Sequence, residues 1–267
     1  MGSLARVPNP TTGVSPRDGA GRVAAARRAL EQNPTWYHTI ELAPGVLTPG
    51  HVDHRWLAGK LLPDDLSGRR ALDIGTFDGF WAFEMERRGA EVVAIDVETI
   101  DAAEWPPLNR ERLLRESEAH GLELGRGFRL AKELLGSNAE RVICGVYDLT
   151  PEAIGGPVDF IFEGALLQHL RDPVRALERA RNTLRPDGRM LVWEVISLLD
   201  TMRAPRRPLA RFSPILSDFT WWMPNYAALH SMPRAAGFKN VKRVGLHRSK
   251  GLNPGMRNWY CALEARP

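Results

Sequence analysis

The stretch Asp73-Ile-Gly-Thr-Phe-Asp-Gly-Phe80 has the residue types of a ligand-binding turn. It follows an apolar run, and the glycines at 75 and 79 bracket a turn into a predicted helix. Glycine permits positive φ and a close backbone approach to a ligand, while the helix start offers free N–H groups. Asp96 closes the next apolar run, roughly twenty residues on, where a carboxylate can accept both hydroxyls of a ribose. The pair predicts a nucleotide-cofactor site.

The chemistry of this loop favours one class of cofactor over another. A Gly-x-Gly-x-x-Gly loop for a pyrophosphate is not present, because position 77 is Phe and the third glycine is missing. Asp73, at the end of the first apolar run, suits a cationic sulfonium cofactor with an amino-acid tail, since a carboxylate would repel a diphosphate. The alternative is an ordinary strand-to-helix turn with a surface aspartate.

Several motifs, in order along the chain, resemble those of class I S-adenosylmethionine-dependent methyltransferases. They are Asp73 to Gly79, Asp96, Asp148 after the third apolar run, Asp159-Phe-Ile-Phe-Glu-Gly-Ala-Leu-Leu-Gln-His-Leu-Arg-Asp-Pro173 and Leu184-Arg-Pro-Asp-Gly188. The resemblance implies S-adenosylmethionine as cofactor. It places the methionine and ribose along Gly75 to Gly79, the adenine at Tyr147 and Asp148, and the methyl group near Glu163 and Gly164. The implied cofactor-binding residues are Asp73, Gly75, Thr76, Phe77, Gly79, Asp96, Val97, Tyr147, Asp148, Glu163 and Gly164.

Within that superfamily the chain partly resembles the enzymes that carboxymethylate a wobble uridine of tRNA. The resemblance rests on Thr48-Pro-Gly with Trp56 and Lys60-Leu61, on Leu166-Leu-Gln-His-Leu-Arg-Asp-Pro173, and on Trp222-Met-Pro-Asn-Tyr-Ala-Ala-Leu229. Those enzymes recognise a carboxylated cofactor through basic and aromatic side chains ahead of the first strand. The nearest equivalents here, Val52 and Leu57, are apolar, so we expect the ordinary methyl donor.

Two residues after the fourth apolar run are candidates for catalysis. Methyl transfer is an in-line displacement at an activated carbon, so a base is needed only if the acceptor keeps its proton. His169 has the side chain best suited to proton removal near neutral pH, and its alternative role is packing near adenine. Glu163, where ligands bind in open α/β sheets, is either a base or a pocket wall.

Aromatic, histidine and arginine side chains outside the loop are candidates for holding the acceptor. Each has a structural alternative: the histidines are surface or locally hydrogen-bonded residues, the aromatics are core residues, and the arginine belongs to a solvated loop. The arginine-rich loop after the fifth run leaves the same sheet edge and could contact a carboxylate or phosphate. The candidate substrate-binding residues are Trp36, His38, His51, Arg207, Trp222 and Tyr226.

The elements that must position these residues alternate along the chain. Apolar runs at 71–74, 91–95, 141–146, 157–162 and 188–196 are separated by segments of helical composition. That pattern predicts an α/β fold: a doubly wound, Rossmann-like, mostly parallel seven-stranded sheet. A helix at 223–236 and two runs at 240–246 and 258–264, joined by a short loop at 251–255, predict an antiparallel terminal strand pair.

The predicted domain organisation has three parts. Residues 1–15 read as a flexible tail, residues 16–66 as an N-terminal helical lid or docking segment with a helix over 16–33, and residues 67–267 as the methyltransferase domain. No apolar stretch of about 18 residues and no signal-peptide core are present, so we expect a cytoplasmic protein without a membrane partner. The oligomeric state is not indicated.

Composition adds little about partners. The net charge is +4, and almost all of the positive charge comes from arginine. A charge this small on a chain of this length is weak evidence for RNA binding. Cys144 and Cys261 lie in apolar runs rather than in metal-ligand pairs, so packing is the better interpretation and no metal is expected. Three functions are therefore weighed: methylation of oxygen or nitrogen on a small aromatic or anionic metabolite, modification of tRNA, and cofactor binding without turnover.

Overall fold

A seven-stranded sheet forms the centre of the computed structural model, which describes residues 16–212, 219–248 and 258–267; the predicted tail at 1–15 and the loop at 251–255 lie outside the described residues. From one edge to the other, its strands are β10 (Asn240–Arg248), β11 (Trp259–Arg266), β7 (Leu184–Ile196), β6 (Val158–Gly164), β3 (Arg70–Ile74), β4 (Glu91–Asp96) and β5 (Glu140–Ile143). The five strands β3 to β7 pair in parallel, and β11 pairs antiparallel with both β7 and β10. The predicted sheet is confirmed.

Helices cover both faces of this sheet. Side chains alternate between faces along a strand, and in β3 Ala71 packs into one apolar core while Leu72 packs into the other. The first core, which contains Ala71, includes side chains of α1, α3 and α5. The second core, which contains Leu72, includes side chains of α6 and α8. The helices are α1 (Pro16–Gln32), α2 (Arg55–Leu61), α3 (Phe80–Glu86), α4 (Pro107–Ala119), α5 (Arg126–Leu135), α6 (Pro173–Thr183), α7 (Leu198–Arg203) and α8 (Tyr226–Ala235). None of the helices in the described part of the chain is long and apolar enough to cross a membrane.

The segment between α1 and β3 packs onto the first core rather than standing apart from it. It holds a two-stranded sheet of β1 (Glu41–Ala43) and β2 (Val46–Leu47), in addition to α2. The turn between these strands uses Gly45 at φ +74°, a left-handed conformation that suits glycine. We call residues 36–54 the lead-in segment. Its Trp36 and Leu42 are each 1% exposed, so the segment is part of the folded core.

The helix predicted over 223–236 begins later than expected. Residues Trp222–Pro224 form strand β9, which pairs antiparallel with β8 (Ala210–Phe212). Asn225 then caps α8, because its side chain accepts a hydrogen bond from the N–H of Ala228 at 2.9 Å. The apolar run at 141–146 is also shorter as a strand, since β5 ends at Ile143 and a 3₁₀ turn follows at Val146–Asp148. Apolar content alone does not show where such a strand ends.

Candidate functional site

The loop between β3 and α3 adopts a conformation that depends on glycine. Gly75 lies at φ +73° and Gly79 at φ +90°, both in the left-handed region. A Cβ on Gly79 would lie 2.5 Å from the Phe83 ring and 2.7 Å from the Phe128 ring. Gly79 is therefore required twice, by its backbone conformation and by the aromatic side chains beneath it.

Phe77 is a non-glycine residue held at positive φ inside the same loop. Its φ is +51°, and its N–H donates a 2.8 Å hydrogen bond to Oδ2 of Asp96. The other oxygen, Oδ1, accepts from the N–H of Val97, also at 2.8 Å. Non-glycine residues in this region cluster at functional sites, where surrounding contacts hold them. Asp96 thus ties the loop to the end of β4, and its oxygens keep lone pairs for a ligand.

Two polar atoms at the base of the loop have no hydrogen-bond partner among the described residues. They are Oδ2 of Asp73, which is 1% exposed, and Oγ1 of Thr76, which is 2% exposed. A buried unpaired polar atom costs about 1–3 kcal/mol, so such atoms indicate a place where a ligand completes the hydrogen bonding. Burial raises the pKa of Asp73 to about 7. A cationic ligand group would favour its ionised form.

A pair of buried acids supports the turn that follows β6. Glu163 accepts a hydrogen bond from the N–H of Leu166 at 2.9 Å, and Glu194 on β7 accepts from the N–H of Leu167. These bonds hold the turn, in which Ala165 lies at φ +58°. Burial raises the pKa of both carboxyls, and the charge of Glu163 raises that of Glu194 further. Alternation along β6 places Glu163 on the face of the second core, opposite to Phe162.

The three buried carboxyls of Asp73, Glu163 and Glu194 make the stability of the protein depend on pH. Because their folded pKa values lie above the unfolded ones, the folded state keeps protons that the unfolded state releases. Their contribution is present below about pH 4, near the usual pKa values of Asp and Glu, and is lost as pH rises through the folded pKa, about 7 for Asp73 and for Glu163. We expect Glu163→Gln to flatten the fall in unfolding free energy between pH 5 and 8, by up to about 1.4 kcal/mol per pH unit.

Urea unfolding at pH 5, 6, 7 and 8 measures that slope. The amide of Glu163→Gln keeps an acceptor oxygen for the Leu166 N–H and has no titrating proton. Glu98→Gln, at an exposed position, is the matched control and should keep the wild-type slope. Equal slopes for wild type and Glu163→Gln would contradict the role given to this pair.

A hydrogen-bonded group next to β5 closes the far end of the site. The hydroxyl of Tyr147 donates to Oε2 of Glu104 at 2.7 Å and accepts from the N–H of Asp172 at 3.0 Å. Trp221 donates from its indole to the backbone oxygen of Glu104 at 2.7 Å. His169 lies at this end, where its Nδ1 is 2.6 Å from the backbone oxygen of Phe219 and burial lowers its pKa.

A row of rings lies under the lead-in segment, on the face of the first core. His38 stacks on Phe80, the first residue of α3, with ring centroids 5.1 Å apart. His54 packs 5.4 Å from His38 and 4.8 Å from Trp193 of β7. Trp193 in turn stacks on Tyr260 at 4.3 Å. We call His38, His54, Phe80, Trp193 and Tyr260 the ring cluster.

Asp78 joins the ring cluster to the loop between β3 and α3. Its Oδ2 accepts hydrogen bonds from the N–H groups of Tyr37, at 2.9 Å, and of His38, at 2.7 Å. Its Oδ1 lies 2.6 Å from Nδ1 of His38. The side chains of His38 and Asp78 are only 6% and 1% exposed. A residue of the loop therefore fixes both the backbone and the ring of the lead-in segment.

The other predicted acceptor residues are spread over the molecule. Trp36 is buried and its indole N–H has no hydrogen-bond partner among the described residues, while His51 and Arg207 are exposed. Trp222 donates from its indole to the backbone oxygen of Arg171 at 3.3 Å. Tyr226 lies at the start of α8, packed with the second core. The structure therefore brings the ring of His38 beside the loop between β3 and α3, packs Trp36 in the first core, and places Arg207, Trp222 and Tyr226 elsewhere.

Four of the residues that build this site were not among the predicted ones: Asp78, His54, Trp193 and Glu194. Glu194 carries a sequence signal, because a lone acid inside an apolar strand run must find a partner. Asp78 stands inside the loop motif itself, so its position was visible although its partners were not. His54 and Trp193 carry no such signal. Among the described residues, no group of three His, Cys, Asp or Glu side chains could hold a metal ion.

The chain matches a family model and is similar in sequence to curated proteins. A family model described as "Methyltransferase domain" matches residues 53–243. The chain is 28% identical over 225 residues to a tRNA U34 carboxymethyltransferase of Azotobacter vinelandii, covering 83% of this chain and 61% of that protein. It is 27% identical over 214 residues to the protein of the same name from Pseudoalteromonas translucida, covering 79% of this chain and 56% of that protein. The chain thus spans less than two thirds of the length of these relatives.

The fold of the chain is similar to that of a solved structure. The N-terminal domain of EvdMO1, determined in the presence of SAH and D-fucose, matches with a TM-score of 0.57 at 19% identity. The match covers 92% of this chain and 96% of that one, so it supports the whole described architecture. Because the family model covers more than half of the sequence, the chain belongs to the methyltransferase domain family.

Proposed function

We propose that the loop between β3 and α3 binds S-adenosylmethionine through the residues the resemblance indicates. The unpartnered oxygens of Asp73 and Thr76 fit the amino group of its methionine part, which donates hydrogen bonds. Asp96 fits the ribose hydroxyls, since each of its oxygens accepts one hydrogen bond from the described part of the chain and has a further lone pair. Gly75 and Gly79 allow the backbone to approach the ligand. The remaining residues of this proposed site are Phe77, Val97, Tyr147, Asp148, Glu163 and Gly164.

Glu163 acts in this proposal as a support rather than as a base. Its carboxyl faces the second core, binds the N–H of Leu166 and adjoins Glu194. Together the two acids set the path of the turn after β6, which forms one wall of the cofactor site. This corresponds to the pocket-wall alternative for Glu163.

We further propose that the acceptor is a small molecule with an aromatic ring, methylated on oxygen or nitrogen. The observation that carries this proposal is the ring cluster, whose His38, His54 and Trp193 are 5%, 5% and 2% exposed beside the cofactor loop. Rings of this kind stack on a planar acceptor. An acceptor bound against these rings beneath the lead-in segment must be small, which favours a free metabolite over a nucleotide held in a large RNA.

The cofactor supplies a methyl group activated by a sulfonium. The chain must then hold the acceptor atom in line with it and exclude water, and such positioning can account for about 7–11 kcal/mol of barrier. In the proposal the lead-in segment positions the acceptor and excludes water, because Asp78 fixes this segment directly against the loop.

A tRNA substrate is the second candidate, and the names of the relatives favour it. Exposed arginines at 203, 206 and 207 near the same sheet edge could contact phosphates. A carboxylated cofactor is disfavoured here. The positions expected to recognise its carboxylate, Val52 and Leu57, are apolar, only 4% and 0% exposed, and packed in the protein interior. This candidate predicts tRNA binding that weakens steeply with salt.

The test is formation of S-adenosylhomocysteine from S-adenosylmethionine, with phenols, anilines, sugars, aromatic carboxylates and bulk tRNA as acceptors. Binding of S-adenosylhomocysteine is measured first by calorimetry. Turnover with a ring-bearing small molecule and not with tRNA is the expected result. Turnover with tRNA alone would replace this proposal with the second candidate, and absence of cofactor binding would remove both. Binding without any turnover would favour a cofactor-binding module.

A further inference from the structure

The contact between Asp78 and His38 has the form of a base and its orienting acid. Among the described residues, the Asp78 carboxylate has three partners that donate or can donate a hydrogen bond: two backbone N–H groups and Nδ1 of His38. A carboxylate only accepts, so Nδ1 must carry the proton in this contact. The neutral ring then has its lone pair on Nε2, at the opposite edge. Nε2 makes no hydrogen bond to the residues that the structure describes.

The backbone of His38 is fixed as firmly as its ring. Its carbonyl oxygen accepts a 2.6 Å hydrogen bond from Oγ1 of Thr48, and its N–H donates to Asp78. Gly50 crosses so closely that a Cβ there would lie 2.2 Å from the carbonyl carbon of His38. Preorganisation of this kind is what a reacting group needs, because small displacements reduce rates strongly.

The ring of His38 is at the end of the site that is proposed to hold the methionine. It stacks on Phe80, which directly follows Gly79 of the loop. His169, the other candidate base, packs 5.8 Å from the ring of Phe219, which packs against Trp105 beyond β4. His169 therefore lies on the Tyr147 side, where the resemblance places adenine, away from the transferred methyl group.

Two further polar atoms in the ring cluster lack partners among the described residues. They are Nδ1 of His54 and Nε1 of Trp193, on side chains that are more than nine-tenths buried. Burial lowers the pKa of His54 well below its usual value, so the ring is neutral. These atoms can pair with polar groups of an acceptor.

The charge of the surroundings restricts which acceptor fits. None of the buried residues in the described part of the chain is Lys or Arg, whereas Asp73 and Asp78 lie beside the cluster. An acceptor carboxylate or phosphate would be buried without a cationic side chain, which is costly. A neutral compound avoids that cost.

We infer that the acceptor is a neutral hydroxyl compound and that Nε2 of His38 removes its hydroxyl proton, with Asp78 as the positioning residue. The inference rests on the proposed function. The hydroxyl oxygen forms a bond to the methyl carbon, the carbon–sulfur electron pair goes to sulfur, and the hydroxyl proton goes to Nε2. Asp78 stabilises the imidazolium formed, and the proton leaves to solvent after the reaction.

The first experiment needs no acceptor. Ring-nitrogen NMR of protein with nitrogen-15-labelled histidine, saturated with S-adenosylhomocysteine, reports which nitrogen of His38 carries the proton. We expect Nδ1–H in the wild type. In Asp78→Asn the amide can keep its oxygen on the two backbone N–H groups and turn its NH₂ towards Nδ1, so His38 should switch to the Nε2–H form. An Nε2–H form in the wild type would overturn the inference.

The second experiment measures turnover at pH 6 to 9 with phenols and sugars, each paired with a carboxylate-bearing analogue. His38→Asn keeps a side-chain donor near the Nδ1 position for Asp78 and removes Nε2. We expect its turnover to fall by about 100-fold or more at pH 7, with a smaller loss at high pH where the acceptor ionises by itself. S-adenosylhomocysteine affinity should stay within about 3-fold, or about 0.65 kcal/mol.

Control variants separate the outcomes. His120→Asn changes an exposed histidine at the end of α4 and should leave turnover unchanged. Full activity in His38→Asn, loss of activity confined to His169→Asn, or turnover of the carboxylates alone would each overturn the inference while the proposed function stands. If no compound turns over, the NMR result decides. Failure to bind S-adenosylhomocysteine would instead be failure of the proposed function.

Discussion

Replacing Asp78 with alanine should lower the free energy of unfolding by about 3–9 kcal/mol, a large part of the stability of most domains. The change leaves the N–H groups of Tyr37 and His38 and the ring Nδ1 of His38 without their acceptor. Each such buried group costs about 1–3 kcal/mol. The loss should appear in urea unfolding as a lower midpoint.

An exposed aspartate with the same number of partners gives the control. Asp53 also accepts three hydrogen bonds, from the N–H and guanidinium of Arg55, but its side chain is 36% exposed. Asp53→Ala should cost less than about 1 kcal/mol, because water replaces the lost partners. Asp78→Asn, which keeps one acceptor oxygen, should fall between the two. Similar losses for Asp78→Ala and Asp53→Ala would show that Asp78 does not anchor the lead-in segment.

Replacing Asp96 with asparagine should weaken binding of S-adenosylmethionine about 10- to 10,000-fold. The carboxylate already accepts from the N–H groups of Phe77 and Val97, and the amide has one acceptor oxygen where the carboxylate has two. One or both charge-assisted bonds to the ribose are then lost, at about 1.5–3 kcal/mol each, with 1.4 kcal/mol per tenfold in affinity. Calorimetry with S-adenosylhomocysteine measures the change.

Two comparisons make that result specific. Glu98→Gln removes an exposed carboxyl two residues along the chain and should leave affinity within about 3-fold, or about 0.65 kcal/mol. Circular dichroism of Asp96→Asn should match the wild type, since the fold keeps its sheet and cores. Wild-type affinity in Asp96→Asn would rule out Asp96 as the ribose ligand.

The sequence predicted the sheet because its signals are local. Each apolar run, such as Val92 to Asp96, can be recognised within a few residues, and the connection lengths then restrict the pairing of strands. The start of α8 was predicted too early, because Trp222–Pro224 pairs with Ala210–Phe212 rather than continuing the helix. The partner strand lies about ten residues away, beyond the reach of helical periodicity.

The cofactor loop is local in the same sense. Gly75, Phe77 and Gly79 adopt positive φ within a strand, turn and helix that follow one another, so their spacing alone pointed to a ligand-binding turn. The Asp96 partner was also foreseeable, since it ends the adjacent parallel strand. Parallel strands bring their carboxyl ends to one edge, and that geometry holds for any sequence that forms the sheet.

What the sequence determined by itself is therefore the fold, the family and the loop from Asp73 to Phe80. Only the tertiary structure decided that Asp78 of this loop binds Tyr37 and His38, some forty residues earlier, and that Glu163 meets Glu194. The reason is physical: these contacts depend on how the lead-in segment packs across the first core, and no local periodicity or propensity encodes a pairing between distant segments. The loop that is proposed to bind the cofactor thus also anchors the lead-in segment.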